Sequence, residues 1–384
     1  MRTDPLTWNG VSGWHAQGQL PDKADLVLYF GTRGALACGK RYHELRDMFA
    51  GAHVIGCSTG GQIASTDIIS DDDIAATAIS FDRTKLKLAI APATNAGTSR
   101  SCGETIGKAL AAPDLAGIFV LSDGLNVNGS ALVAGITSAV GPKVPITGGL
   151  AGDGALFTET LVGGDCAPKK QMVAAIGFYG TAIRISHGNA GGWDEFGPQR
   201  SISRAHGNVL FELDGGPALD LYKRYLGEEA SGLPGTALLF PLRIFDPKQP
   251  ERALVRTVLA VDHDRKSMTF AGDMPEGWVS QLMRGNFHRL ANGAAIAARQ
   301  SVASLSEKPG ADSLAILVSC IGRRLLMGQR TVEEVEAASL ELGSKMPVLG
   351  FYSYGEISPH GPSGVCQLHN QTMTVTTITE AAGR

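Results

Sequence analysis

The chain is short of cysteine, aromatic residues and charge imbalance, and each shortage removes a class of function. Its six cysteines, at positions 38, 57, 102, 166, 320 and 366, are far apart and form no C-x-x-C pair, so neither a thiolate zinc site nor a disulfide framework is written here. Nine histidines show no H-x-x-x-H or H-E-x-x-H spacing, which leaves no zinc-enzyme signature. Net charge is −3 and charged residues are 18% of the chain, so no nucleic-acid or membrane partner is expected. No run of about 18 apolar residues occurs. Met1 to Trp8 lack the apolar segment of a secretory signal, and a cytoplasmic location is expected.

Glycine, by contrast, is abundant at 49 residues, and it is patterned. Val348-Leu349-Gly350-Phe351-Tyr352-Ser353-Tyr354-Gly355-Glu356-Ile357 aligns without a gap on Val54-Ile55-Gly56-Cys57-Ser58-Thr59-Gly60-Gly61-Gln62-Ile63. A looser third copy is Pro145-Ile146-Thr147-Gly148-Gly149-Leu150-Ala151-Gly152-Asp153. Upstream of each copy stand a short buried strand (25–30, 117–121, 313–318), a polar loop and a helical segment. The loops are Gly31 to Gly34, Ser122 to Gly129 and Ser319 to Arg324, and Thr331 with Glu334 reads as a capping box opening the third helix. Glycine alone takes positive φ freely and admits a close neighbour, so three glycine-rich strand ends are expected to line a common pocket.

Taken in order, residues up to about 22 form a polar lead pinned by Trp8 and Trp14. Segments 74–81 and 86–90 read as a hairpin, as do 171–179 and 181–185. Asp71, Asp72 and Asp73 read as a solvated loop rather than a metal site. The glycine-rich stretch 188–204 is the expected boundary, giving domains 23–205 and 206–384. In the second, 237–244, 254–261 and 267–271 read as strands of a meander, 286–305 as a long helix and 367–376 as a single last strand. The expected class is α/β: two mixed-sheet domains built from repeated β-loop-α-β-glycine-loop modules followed by hairpins.

Several side chains invite chemistry. Gly56-Cys57-Ser58-Thr59-Gly60 matches the G-x-S-x-G nucleophile elbow, so a hydrolase using Ser58 or Cys57 is one alternative; the repeat, with Tyr352 where Ser58 sits, argues that the glycines serve the fold. Asp123 and Asn126 belong to a strand-end loop that makes turn bonds or faces a ligand. Arg323, Tyr354, Glu356 and Asn370 are expected to face one pocket, where an arginine and a carboxylate would clamp a zwitterion. His369 lies on a strand and could serve a haem as a single axial ligand, which leaves no spacing signature.

These motifs resemble the FIST family of sensory proteins with paired N and C domains. The likeness rests on the loops from Ile55 to Gly61 and Gly148 to Asp153, on Asp214-Gly215-Gly216-Pro217-Ala218, on Ser319 to Arg323, on Gly350 to Ile357 and on His369-Asn370-Gln371-Thr372. The resemblance implies a signal-transduction input module binding small ligands such as amino acids; no complete catalytic constellation is visible in the sequence, and no enzyme is expected. One branch of the family is similar to haem-binding nitric-oxide sensors that act on a partner histidine kinase. The chain carries no kinase or cyclase segment, so output in trans is expected. The expected ligand-facing set is Cys57, Ser58, Gly60, Asp123, Asn126, Gly149, Asp153, Arg323, Tyr352, Tyr354, Glu356 and Asn370.

Overall fold

The computed structural model describes residues 1–16, 18, 20–21, 23–303, 305, 310–360 and 364–381. It is a mixed α/β protein with three six-stranded sheets and one larger outlying sheet. Each six-stranded sheet is centred on one expected module, its first strand lying parallel to its glycine strand. The pairs are Leu26–Gly31 with His53–Ser58, Leu115–Ser122 with Ile146–Leu150, and Ser313–Cys320 with Val348–Ser353.

The repeat goes deeper than the glycines. In each sheet a later strand lies antiparallel to the module's first strand: Ile74–Ser80, Met172–Tyr179 and Met373–Glu380. Beyond it comes a strand that precedes the module in sequence: Arg2–Asn9, Lys85–Pro92 and Ile183–Ala190. The segments 74–81 and 86–90 therefore do not form a hairpin, and neither do 171–179 and 181–185; in each case the two strands join different sheets.

The strand on the far side of each glycine strand comes from another module. Gln62–Ala64 pairs with Val348–Ser353, Val162–Gly164 with His53–Ser58, and Gly355–His360 with Ile146–Leu150. The exchange is cyclic, so the three sheets are locked together by backbone hydrogen bonds.

One face of each sheet contributes to a common interior that holds Leu28, Phe30, Ile55, Phe119, Leu121, Ile316, Val318 and Phe351. There the rings of Phe30 and Phe351 lie 4.4 Å apart. The outer faces are covered by helices, which is why these strands read as continuous apolar runs instead of alternating ones. Over the second sheet, helices Ser99–Leu110 and Gly129–Val140 cross at glycines. A Cβ on Gly103 would stand 2.2 Å from the Leu132 carbonyl, and one on Gly135 would stand 2.2 Å from that of Arg100.

Several local expectations change. The N-terminal lead forms strands Arg2–Asn9 and Gly13–Ala16, with Trp8 under the Arg41 guanidinium and Trp14 Nε1 donating to Glu44. The stretch 188–204 is mostly strand, most of it in Trp193–His206, which runs for 14 residues into the outlying sheet. Segment 237–244 divides into a helical turn, Gly235–Leu239, and strand Leu242–Phe245. Segment 254–261 breaks at Thr257 into Leu254–Arg256 and Val258–Asp262; the second of these forms the expected hairpin with Ser267–Phe270. Loops 31–34 and 319–324 already enter short helices, Arg33–Leu36 and Ile321–Met327. The single last strand is interrupted between Val365–His369 and Met373–Glu380.

Candidate functional site

The three glycine strand ends do converge, but they close on one another. Gly60 N donates to Tyr352 O at 2.8 Å, Gly152 N to Ser58 O at 2.9 Å, and Tyr354 N to Leu150 O at 3.2 Å. These are equivalent positions of the three copies, so the bonds form a ring around a pseudo-threefold centre. The glycines permit it. Gly56, Gly148 and Gly350 each face a carbonyl of the parallel neighbour, from Tyr29, Val120 and Leu317, and an added Cβ would lie 2.3, 1.9 and 2.3 Å from those oxygens. Gly149 is also closed in, its Cβ position 2.8 Å from Val318. Positive φ is found at Gly61 (+138°) and Gly148 (+134°), while Gly355 needs tight packing against Leu368, Leu150 and Asn370 and not a left-handed turn.

Most side chains expected to face a ligand are consumed by this interior. Cys57 is buried among apolar side chains, and burial pushes its thiol well above the usual range. Ser58 Oγ accepts from Leu161 N at 2.9 Å and is fully buried, and a strand and not a helix follows it, so the elbow reading fails on geometry. Asp123 accepts from the backbone of Leu125, Asn126 and Gln171 and from the Asn126 side chain, the turn-forming alternative. Asp153 accepts from the backbone of Phe157, Thr158 and Glu159 and from the Tyr354 hydroxyl, a short bond; hydrogen bonding outweighs burial and holds its carboxyl below the ordinary value.

Arg323 does not meet Glu356. Both side chains of the Arg323–Glu334 pair are fully buried, 2.7 Å apart, and Glu334 also accepts from Ser319 Oγ and the Tyr352 hydroxyl, each at 2.9 Å. The capping box is therefore absent. Thr331 makes no side-chain cap and donates instead to the Arg324 and Gly328 carbonyls. Arg323 spends its remaining donors on the carbonyls of Gly191, Leu290 and Gln371.

Glu356 accepts from Ser353 Oγ and from Thr372 N and Oγ1, and burial, the dominant effect, raises its pKa to about 8. Asn370 bridges Thr257 N and Tyr354 O at 3.4 Å each. Asn370 thus reaches the Tyr354 carbonyl and Glu356 reaches Thr372 inside the interior and not along a pocket, while the Tyr354 hydroxyl is bonded to Asp153 and Arg323, expected with them, pairs with Glu334.

His369 fits a haem poorly. Its Nε2 sits 3.1 Å from the Ser358 carbonyl, its ring packs 5.6 Å from that of His360, and burial lowers its pKa to about 3.

An open cleft lies elsewhere. It has a volume of about 450 Å³ and runs between helix Gly129–Val140, the outlying sheet and strand Val365–His369. That size is within the range of small-molecule sites, roughly 300–1,000 Å³. Ser130, Ala134, Thr137 and Ser138 form the helical wall. Ile244, Leu254 and Leu368 supply apolar surface, and the loop after strand Ser267–Phe270 contributes Asp273, Pro275 and Trp278.

Arg256 is set into this wall at 3% exposure. Its Nε donates to Asp273 O and its Nη1 to Val255 O and Leu368 O, and among the described residues Nη2 makes no hydrogen bond. Burial lowers its pKa to about 10, opposed by the Asp273 carboxylate, so it stays cationic at neutral pH. Thr137 and Gln367 also line the cleft, but Thr137 Oγ1 and Gln367 Oε1 are shut off from it and, among the described residues, have no hydrogen-bond partner. Sequence reasoning passed over all of these residues. The one available signal was an arginine two positions after Leu254 in a strand, where alternation turns both side chains to the same side.

The fold is α/β, and the cleft is assembled from distant parts of the chain. A FIST N domain model matches residues 25–216 and a FIST C domain model matches residues 218–359. The chain belongs to the FIST family. FIST domains are sensory domains implicated in signal transduction and small-ligand binding. The cleft is walled by both matched regions, Arg100 to Ser138 from the first and Ile244 to Trp278 from the second. No curated protein sequence matches the chain. Among the described residues no helix is long and apolar enough to cross a membrane.

Proposed function

We propose that the protein is a cytoplasmic sensor that takes a small ligand, an amino acid or similar metabolite, into this cleft and signals in trans to a partner such as a histidine kinase. One observation carries the reading: a buried arginine with an unused donor faces an open cleft of ligand size. The cleft lies between segments 23–205 and 206–384, taken as the two domains, so occupancy bears directly on how they pack. Arg256 also joins the cleft to the interior, since its Nη1 reaches Leu368 O and the next residue, Thr257, is bonded to Asn370. A non-catalytic role is supported by the two nucleophile candidates, since the buried Ser58 hydroxyl accepts from Leu161 N and burial raises the pKa of the Cys57 thiol. Equilibrium dialysis of the full chain against a cytosolic metabolite extract, read by mass spectrometry, tests the reading. Retention of one small metabolite at stoichiometric level is expected; retention of none refutes it.

A further inference from the structure

We propose that the cleft selects a small monocarboxylate with a compact apolar body, and that Arg256 anchors the carboxylate. The proposal rests on the reading of the cleft as the sensory site. Arg256 is held from behind through Nε and Nη1, so its guanidinium is fixed and Nη2 is left for an acceptor from the cleft. A guanidinium edge matches a carboxylate in geometry and charge. Gly272 keeps this arrangement open, since a Cβ there would stand 2.7 Å from Ser130 Oγ and 3.1 Å from Arg256 Cζ.

Charge limits the ligand to one anionic group. Asp273 lies beside the guanidinium, its Oδ1 accepting from Asn128 Nδ2 at 2.6 Å, and a phosphate dianion placed on Arg256 would be repelled by that carboxylate. The other lining cation, Arg100, is exposed and lies 3.4 Å from Glu104.

Ile244, Leu254, Leu368 and Trp278 face the remaining volume and favour a branched aliphatic body over a polar one.

Calorimetry of the full chain with four probes tests this: leucine, 2-hydroxy-4-methylpentanoate, 4-methylpentanoate and 3-methylbutylamine. The three carboxylates should bind and the amine should not. Arg256→Gln should weaken all three by about 10- to 100-fold, the worth of one charged hydrogen bond. Ala134→Trp, from the exposed face of its helix, should fill the cleft and abolish binding while the melting temperature is unchanged, which covers the case of an unfolded Arg256 variant.

Binding of the amine alone, or binding of acids that is insensitive to both Arg256→Gln and Ala134→Trp, overturns the carboxylate assignment and leaves the sensory reading to the dialysis experiment. No binding of any probe at millimolar concentration also overturns it.

Discussion

Replacing Glu334 with alanine should destabilise the protein far more than removing any surface charge. In the folded chain this carboxylate accepts from Arg323 Nε at 2.9 Å, Arg323 Nη2 at 2.7 Å, Ser319 Oγ at 2.9 Å and the Tyr352 hydroxyl at 2.9 Å, with no exposure of either charged side chain. Alanine leaves the Arg323 cation buried without its counter-charge, which costs about 3–5 kcal/mol. The loss is a large part of a typical total of about 5–15 kcal/mol. Tyr352→Phe removes only one hydrogen bond to a charged acceptor and should cost about 1.5–3 kcal/mol.

Because the two charges neutralise each other, Arg323→Met combined with Glu334→Leu should be less destabilising than the sum of the single changes. Urea unfolding followed by circular dichroism gives the comparison. A loss below about 1 kcal/mol for Glu334→Ala would show that the pair is solvated in solution and that the buried network is not what holds helix Val332–Leu342 to the third sheet.

Other expectations follow from the same geometry. Alanine at Gly56, Gly148 or Gly350 should cost about 3 kcal/mol or more, because each new Cβ would meet a strand carbonyl; equal melting temperatures for the wild type and these variants would contradict the close pairing. Ser58→Ala should cost about 1–3 kcal/mol by orphaning Leu161 N, yet leave ligand binding intact; loss of binding with the fold preserved would contradict the interior placement of Ser58. Glu356, with a folded pKa of about 8 against an unfolded value near 4.5, holds a proton that the unfolded chain releases, so stability should fall as pH rises through that window. His369 is neutral when folded down to about pH 3 and protonates near 6.5 when unfolded, so stability should also fall as pH drops below about 6.5. A Glu356→Gln variant that retains the decline between pH 6.5 and 8 would assign it to another group.

The sequence by itself determined the three modules. Their alternation of apolar strand, polar loop, helix and glycine strand is local, and the glycines at 56, 148 and 350 mark where parallel strands bring a carbonyl against the next residue's Cβ position. Local pattern also led to the grouping of Arg323, Tyr354, Glu356 and Asn370, from which Glu334 draws Arg323 away.

Which sheet each strand joins was decided by tertiary structure. Segments 74–81 and 86–90 look alike as strands, and nothing in their periodicity says that one pairs with Leu26–Gly31 and the other with Met172–Tyr179. Thr331 and Glu334 have the spacing of a capping box, yet a buried Arg323 claims the carboxylate because an unpaired interior charge costs more than an unmade cap. The cleft was invisible for the same reason. Thr137, Arg256 and Leu368 are each unremarkable locally, and only the closure of the outlying sheet over helix Gly129–Val140 brings them into one wall.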